Sequence, residues 1–218
     1  MSARDRLRAN DIRFCAVSDA FSAEDWARPS LCDSWSNHDV LAHLVVGYSA
    51  GAVALTAEMR RHSWSFDRAN AAMARSLAVS RTPLQLLDDF DRLTWRPQGL
   101  GRYFPPQLLL GDHITHELDM LFALGRQPAI PADALVAVLN TQVRVPNPFV
   151  PAYRNSRGLR LVATDADWTH GHGPLVRGLA ADLVSVLANR EAMLGRLDGD
   201  GVGTLASRVS RHLIRRAG

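Results

Sequence analysis

The chain has 218 residues, 47% of them hydrophobic and 22% charged, which suits one large globular domain or a domain with a small appendage. All 25 basic residues are arginines, scattered except for a terminal group of Arg211, Arg215 and Arg216, a distribution that argues against nucleic-acid binding. No apolar run approaches the ~20 residues that span a bilayer, and no secretory signal is evident, so we expect a cytoplasmic protein without a membrane partner.

Helical patterns fill the first two thirds of the chain. The clearest helix start is at Ser36, because Ser36 and Asp39 form a capping box and apolar residues then recur at helical spacing as far as Tyr48. Thr82 and Pro83 give a second clear start, with proline at the first helical position. The predicted helices in chain order cover about 4–21, 36–48, 67–79, a segment from Pro83, a segment from Pro105 to Gly125, and 131–143.

The proline-rich stretch VRVPNPFVPAYRNSRG interrupts this helical pattern, and we interpret it as a linker or crossing segment. After this stretch, the alternating pattern of LRLVAT predicts a strand. A loop is predicted for DADWTHGHGP and a helix for VRGLAADLVSVLANR. The sequence therefore predicts a mainly α protein: an up-and-down four-helix bundle over residues 1–150, with a small α+β region over 151–218 packed on it.

The predicted helix before Gly125 contains GDHITHELDM, five ionisable residues among apolar neighbours. Asp112 and His116 are four residues apart and share one face, so they present an oxygen and a nitrogen to one point, as helical metal motifs do. The alternative is a pair that hydrogen-bonds internally or faces solvent, which is the commoner case for an isolated D-x-x-x-H. His113 and Glu117 form a parallel pair, read as surface groups or as supports for the first.

A third candidate ligand lies on the capped helix. His43 stands inside VLAHLVVG, where a satisfied core histidine is the alternative interpretation. With Asp112 and His116 it makes a set of two histidines and one carboxylate, which leaves coordination positions open as a catalytic metal requires. Because Cys15 and Cys32 are the only cysteines, a CxxC-type site is excluded.

The segment LCDSWSNHDVLAHL, residues 31–44, resembles the signature of the mycothiol-dependent maleylpyruvate isomerase N-terminal family, which belongs to the DinB-like four-helix metalloproteins. DHITHELD is similar to the second signature of that family. LVATDADW, GHGPLVRGLAADLVSVLANR and LDGDGVGTL resemble the small C-terminal region common in its members.

The resemblance implies that His43 and His116 are metal ligands, with Asp112 in the place of the usual glutamate of the family. Aspartate is one methylene shorter, so His113 is kept as an alternative third ligand. The family implies a divalent metal, in the first place zinc, while nickel and iron also tolerate this ligand set. It also implies mycothiol, a low-molecular-weight thiol, as the cosubstrate.

The function we expect is an isomerase or S-transferase that uses this thiol on a small electrophile, such as a maleylpyruvate-like compound. A non-catalytic metal-binding sensor or interaction module, and a metal-dependent hydrolase, are the alternatives. Arg102 and Arg177 are candidates for binding an anionic substrate, while Trp35 and Cys32 are read as structural. The bundle suits either a monomer or a homodimer.

Overall fold

The computed structural model describes residues 1–32 and 34–217, with side chains up to residue 209, and divides into two compact units, Met1–Arg126 and Gln127–Gly218. The C-terminal arginine group lies outside the described side chains. None of the described helices combines the length and the apolar character that crossing a membrane requires.

The described residues of the first unit form helices, joined by loops that contain one isolated β-bridge between Pro29 and Ser36. Its helices are α1 (Ala3–Ser18), α2 (Ala23–Ala27), α3 (Asn37–Ser49), α4 (Ala52–Arg61), α5 (Phe66–Ser80), α6 (Pro83–Trp95) and α7 (Pro106–Ala123), with a 3₁₀ turn at Gly101–Tyr103. The predicted helix starts at Ser36 and Thr82 are confirmed, since each side chain accepts a hydrogen bond from the third helical N–H.

Four helices, α1, α3, α6 and α7, form the core of this unit, and α5 packs on α3. α1 packs on α6 and α7, and α3 packs on α5, α6 and α7. The rings of Phe14, Tyr48 and Phe90, from α1, α3 and α6, meet in the centre at centroid distances of 5.5 Å. This packing confirms the predicted helical bundle and places α3 directly beside α7.

The second unit joins helices to a three-stranded sheet. It contains α8 (Ala132–Arg144), α9 (Ala152–Ser156), β1 (Arg160–Ala163), β2 (Thr169–His170), β3 (Leu175–Gly178), α10 (Ala180–Leu187) and α11 (Val202–Ala217), with a 3₁₀ turn at Glu191–Arg196. The strand order is β2-β1-β3, and β1 runs antiparallel to β2 and parallel to β3. The predicted small α+β C-terminal region is therefore confirmed.

The division between the two units falls after Arg126, whereas the sequence pattern predicts a domain boundary after residue 150. The helix α8 packs on α9 and α10 and so belongs to the second unit. The proline-rich stretch consequently lies within that unit. The predicted helix from Val176 is also partly wrong, because Leu175–Gly178 pairs with β1 and the helix begins only at Ala180.

Candidate metal centre

Two neighbouring helices bring His43, Asp112 and His116 together. One ligand atom of each lies within 4.8 Å of the others. The Nε2 of His43 is 3.4 Å from Oδ2 of Asp112, and the Nε2 of His116 is 3.6 Å from Oδ1 of the same carboxylate. The packing of α3 against α7 thus adds His43 to Asp112 and His116, the two potential ligands that α7 carries itself.

The imidazole of His43 is buried, and its two nitrogens differ in environment. The side-chain amide nitrogen of Asn70, on α5, lies 2.9 Å from Nδ1. Nε2, the atom that faces Asp112, is buried and has no hydrogen-bond partner. Buried polar atoms are normally satisfied, so this nitrogen indicates a missing partner at the centre of the cluster.

His116 also has its two imidazole nitrogens in different environments, and its second contact comes from its own helix. Its Nδ1 lies 3.0 Å from Oδ2 of Asp119, one turn further along α7, while Nε2 faces Asp112. Burial lowers the pKa of His116, and the hydrogen bond to Asp119 opposes that effect only in part. The neutral imidazole is favoured, which is the form that binds metals.

Asp112 reaches both histidines despite its short side chain. Although burial raises its pKa, the neighbouring His43 and His116 hold the pKa of Asp112 well below its usual value, so the carboxylate is ionised. Its side chain is 37% exposed, compared with 11% for each histidine. The cluster is therefore accessible from the side of the carboxylate.

These residues fit a divalent metal ion. Ligands at about 2.0–2.2 Å from a tetrahedral ion lie roughly 3.3–3.6 Å apart, which matches the two distances from Asp112. The unpartnered Nε2 of His43 is an independent sign of the same fit. Three protein ligands would leave a coordination position for another molecule.

Comparisons with known proteins agree on one family. A model of the mycothiol maleylpyruvate isomerase N-terminal domain matches residues 7–97. A crystal structure of the mycothiol-dependent maleylpyruvate isomerase superposes with a TM-score of 0.56 at 14% identity, over 92% of this chain and 93% of that one. The crystal structure of a histidine-to-alanine mutant of the isomerase superposes with a TM-score of 0.53, at the same identity and coverage. No curated protein matches by sequence.

The match to this family thus rests on residues 7–97, and the chain as a whole is similar to the isomerase in fold. The matched segment carries His43 and its contact Asn70, while Asp112 and His116 lie beyond its end. The likeness to the solved isomerase structures, which extends over both units, is one of fold at this level of identity.

Two further ionisable residues of α7, His113 and Glu117, belong to a different network. His113 Nδ1 lies 2.7 Å from Oδ1 of Asp11, and Arg13 forms an ion pair with Glu117, both partners being on α1. His113 and Glu117 are 2% and 1% exposed, so the interpretation of them as surface groups is wrong. Among the described residues, His113 does not join the group of potential ligands around His43 and His116, whereas Asp112 does.

Two side chains of the α2–α3 loop lie closer to the centre than their sequence suggested. The ring of Trp35 packs 5.1 Å from that of His43 and 6.2 Å from that of His116. Cys32 forms a second potential ligand group with His116 and Asp119. Sequence reasoning assigned both residues to the loop alone, since nothing local indicates that the loop folds over two histidines.

The predicted substrate arginines are not part of the cluster. Arg102 lies exposed, with its guanidinium 4.6 Å from the ring centroid of Tyr103. Arg177, on β3 of the second unit, pairs with Asp198 through two hydrogen bonds of 2.9 and 2.6 Å. Their roles in substrate binding stay predictions.

Proposed function

We propose that this chain is a metal-dependent enzyme that activates mycothiol and adds its thiolate to a small electrophile, as an isomerase or an S-transferase. The observation that carries the proposal is the His43–Asp112–His116 cluster, with a buried, unpartnered ligand nitrogen and an accessible carboxylate. The family match supplies mycothiol as the thiol and maleylpyruvate as the first substrate to test.

The roles of the residues follow from their contacts. His43, Asp112 and His116 would hold the cation, which when bound supplies the positive charge that lowers the pKa of a nearby thiol. Asp119 accepts the Nδ1–H of His116 and so keeps its Nε2 free as a ligand atom. An Asn70 amide with its oxygen turned toward His43 would do the same for that residue, since amide orientation is interchangeable.

Trp35 covers the two imidazoles with an apolar surface and limits the access of water to them. On the open side, near Asp112, the thiolate can meet an electrophile such as a conjugated double bond. Its sulfur adds to one alkene carbon while the electron pair moves toward the conjugated carbonyl group. Rotation about the resulting single bond and loss of the thiolate give the geometric isomer, whereas protonation of the adduct gives the S-transfer product.

Metal and mycothiol binding by the full chain test this proposal. We expect about one divalent ion per chain in the wild type, and at least a tenfold weaker metal affinity in His43→Ala and His116→Ala, because each removes one of three ligands. His62→Ala, which removes the histidine that directly follows α4 and pairs with Glu58, is the matched control and should retain the metal. Unchanged metal content in both cluster variants would contradict the proposal.

Calorimetry of the metal-loaded protein then separates the kinds of function. A thiol-dependent enzyme must bind mycothiol, and its turnover of maleylpyruvate must require the thiol. Recovery of all the mycothiol identifies an isomerase, and its stoichiometric consumption identifies a transferase. Metal binding without thiol binding would indicate a sensor, and hydrolysis without the thiol would indicate a hydrolase; both results reject the proposal.

A further inference from the structure

A small cavity lies within the first unit, lined by residues that the metal cluster does not use. It has a volume of about 70 Å³, and its walls come from α1, α3, α6, α7 and the segment between α6 and α7. At one edge of the cavity, the 3₁₀ turn packs closely against α3. A Cβ atom on Gly101 would lie only 2.4 Å from the carbonyl oxygen of Gly47. The cavity is therefore a built feature of this end of the bundle.

Two arginines of α1 give this cavity its charge. Arg4 and Arg8, one helical turn apart, both line it. The Nε of Arg8 is buried without a hydrogen-bond partner, and neither arginine forms an ion pair within the described part of the chain. The described protein atoms therefore leave part of the hydrogen-bonding capacity of the Arg8 guanidinium unused.

The nearby acids do not neutralise both arginines. Asp5 lies within electrostatic range of Arg8, but its carboxylate accepts hydrogen bonds from Ser2 at the helix cap. Asp11, behind the cavity wall, accepts the Tyr48 hydroxyl at 2.5 Å and contacts His113. Because both acids are engaged in other hydrogen bonds, Arg4 and Arg8 keep positive charge available at this wall, which suits an anion.

The remaining walls are apolar and aromatic. The guanidinium carbon of Arg8 lies 4.6 Å from the centroid of the Trp95 ring, at the distance of a cation–π contact. Phe104 and Leu109 supply further apolar surface. A planar guanidinium matches the geometry of a carboxylate, with which it can form two parallel hydrogen bonds.

We propose that this cavity is a second binding site, separate from the metal centre, for a small monocarboxylate whose carboxylate binds Arg4 and Arg8 and whose apolar part rests on Trp95 and Phe104. The site stands independently of the proposed function, since none of His43, Asp112 and His116 lines it. Tyr48 joins the two regions, because it forms part of the wall and, through Asp11, contacts α7 beside Asp112.

Calorimetric titration of the full chain with propionate tests the site, with propionamide as the neutral analogue of the same shape. We expect propionate to bind at least tenfold more tightly than propionamide, because a charge-assisted pair is replaced by neutral hydrogen bonds. Inorganic phosphate should bind less tightly than propionate, because it has no apolar part to rest on Trp95 and Phe104. Equal binding of acid and amide, or tighter binding of phosphate, would overturn the assignment.

Variants locate the bound anion. Arg8→Gln should weaken propionate binding about tenfold or more, whereas Arg60→Gln, which removes an exposed arginine of α4, should leave it unchanged. His116→Ala should also retain propionate binding, whether or not it loses the metal. Loss of binding in His116→Ala would assign the anion to the metal centre and overturn the proposal. The comparison of propionate with propionamide in the wild type decides the matter even if Arg8→Gln fails to fold.

Discussion

Each histidine of the cluster contacts a second polar side chain through the nitrogen that faces away from Asp112. His116 contacts Asp119, and His43 contacts Asn70. Such contacts fix the tautomer and the orientation of the ring, and a carboxylate partner also makes the ligand nitrogen more basic. The two histidines are therefore supported unequally, since only Asp119 carries a charge.

This asymmetry leads to a prediction for Asp119. Asp119→Ala should weaken metal affinity by about 10- to 100-fold, because His116 loses both its orienting acceptor and the nearby negative charge. Asp119→Asn keeps an acceptor and should recover part of that loss. Competition with a chelator of known affinity measures both effects.

Asp88→Ala, on the exposed face of α6, is the control for removing an acidic residue and should retain full affinity. A general structural role for Asp119 would lower the melting temperature of the metal-free protein without the graded order of affinity from aspartate to asparagine to alanine. That result would refute its role as a positioning residue.

The sequence predicts some residues of the candidate centre and omits others for a physical reason. The spacing of Asp112 and His116 on one helix predicts their proximity, and the structure confirms it. Asn70 and Trp35 carry no comparable pattern, because Asn70 meets His43 across 27 residues of chain and Trp35 through the fold of a loop. Contacts between elements decide such neighbours, and a local pattern does not encode them.

At the scale of elements, α7 separates two polar systems on adjacent faces. Asp112 and His116 face α3, while His113 and Glu117 face Asp11 and Arg13 of α1. Neighbouring residues on a helix differ by about 100° in direction, so two pairs with the same spacing and a shift of one residue reach different helices. The dense charge of α7 thus serves both a candidate ligand set and a buried link between helices.

The buried link predicts a large effect on stability. Asp11→Ala would leave the Tyr48 hydroxyl and the His113 Nδ1 without their partner in the core, so the free energy of unfolding should fall by about 3 kcal/mol or more. Urea denaturation of the metal-free protein measures this change. Asp91→Ala, at an exposed position of α6, should change it by no more than about 0.5 kcal/mol. A comparable small effect for Asp11→Ala would contradict the structural role of the network.

Elements with strong terminal signals are predicted well, and short or exposed ones are not. The starts of α3 and α6 follow from side chains that cap their first turns. The exposed helix α4 has no such cap and no buried residue, and the sequence pattern did not predict it. β3 has only four residues, and its strand form depends on pairing with β1, so its sequence alone does not distinguish it from the start of a helix.

At the scale of the whole molecule, the candidate metal centre belongs to one unit. His43, Asp112, His116 and their contacts Trp35, Asn70 and Asp119 all precede Gln127. The proposed carboxylate site lies in the same unit, whereas Arg177, the second predicted substrate arginine, lies in the other. Metal binding and substrate binding therefore need not depend on the same parts of the chain.

This arrangement predicts that residues 1–126 suffice for the metal centre. The isolated segment contains the whole helical core and every candidate ligand, so it should fold cooperatively and bind one divalent ion with an affinity within about tenfold of the full chain. Thermal unfolding followed by circular dichroism, with and without metal, measures both properties, because a bound ion raises the melting temperature. The same segment carrying His116→Ala should show no such rise. A folded segment that binds no metal would mean that residues after Arg126 complete the centre.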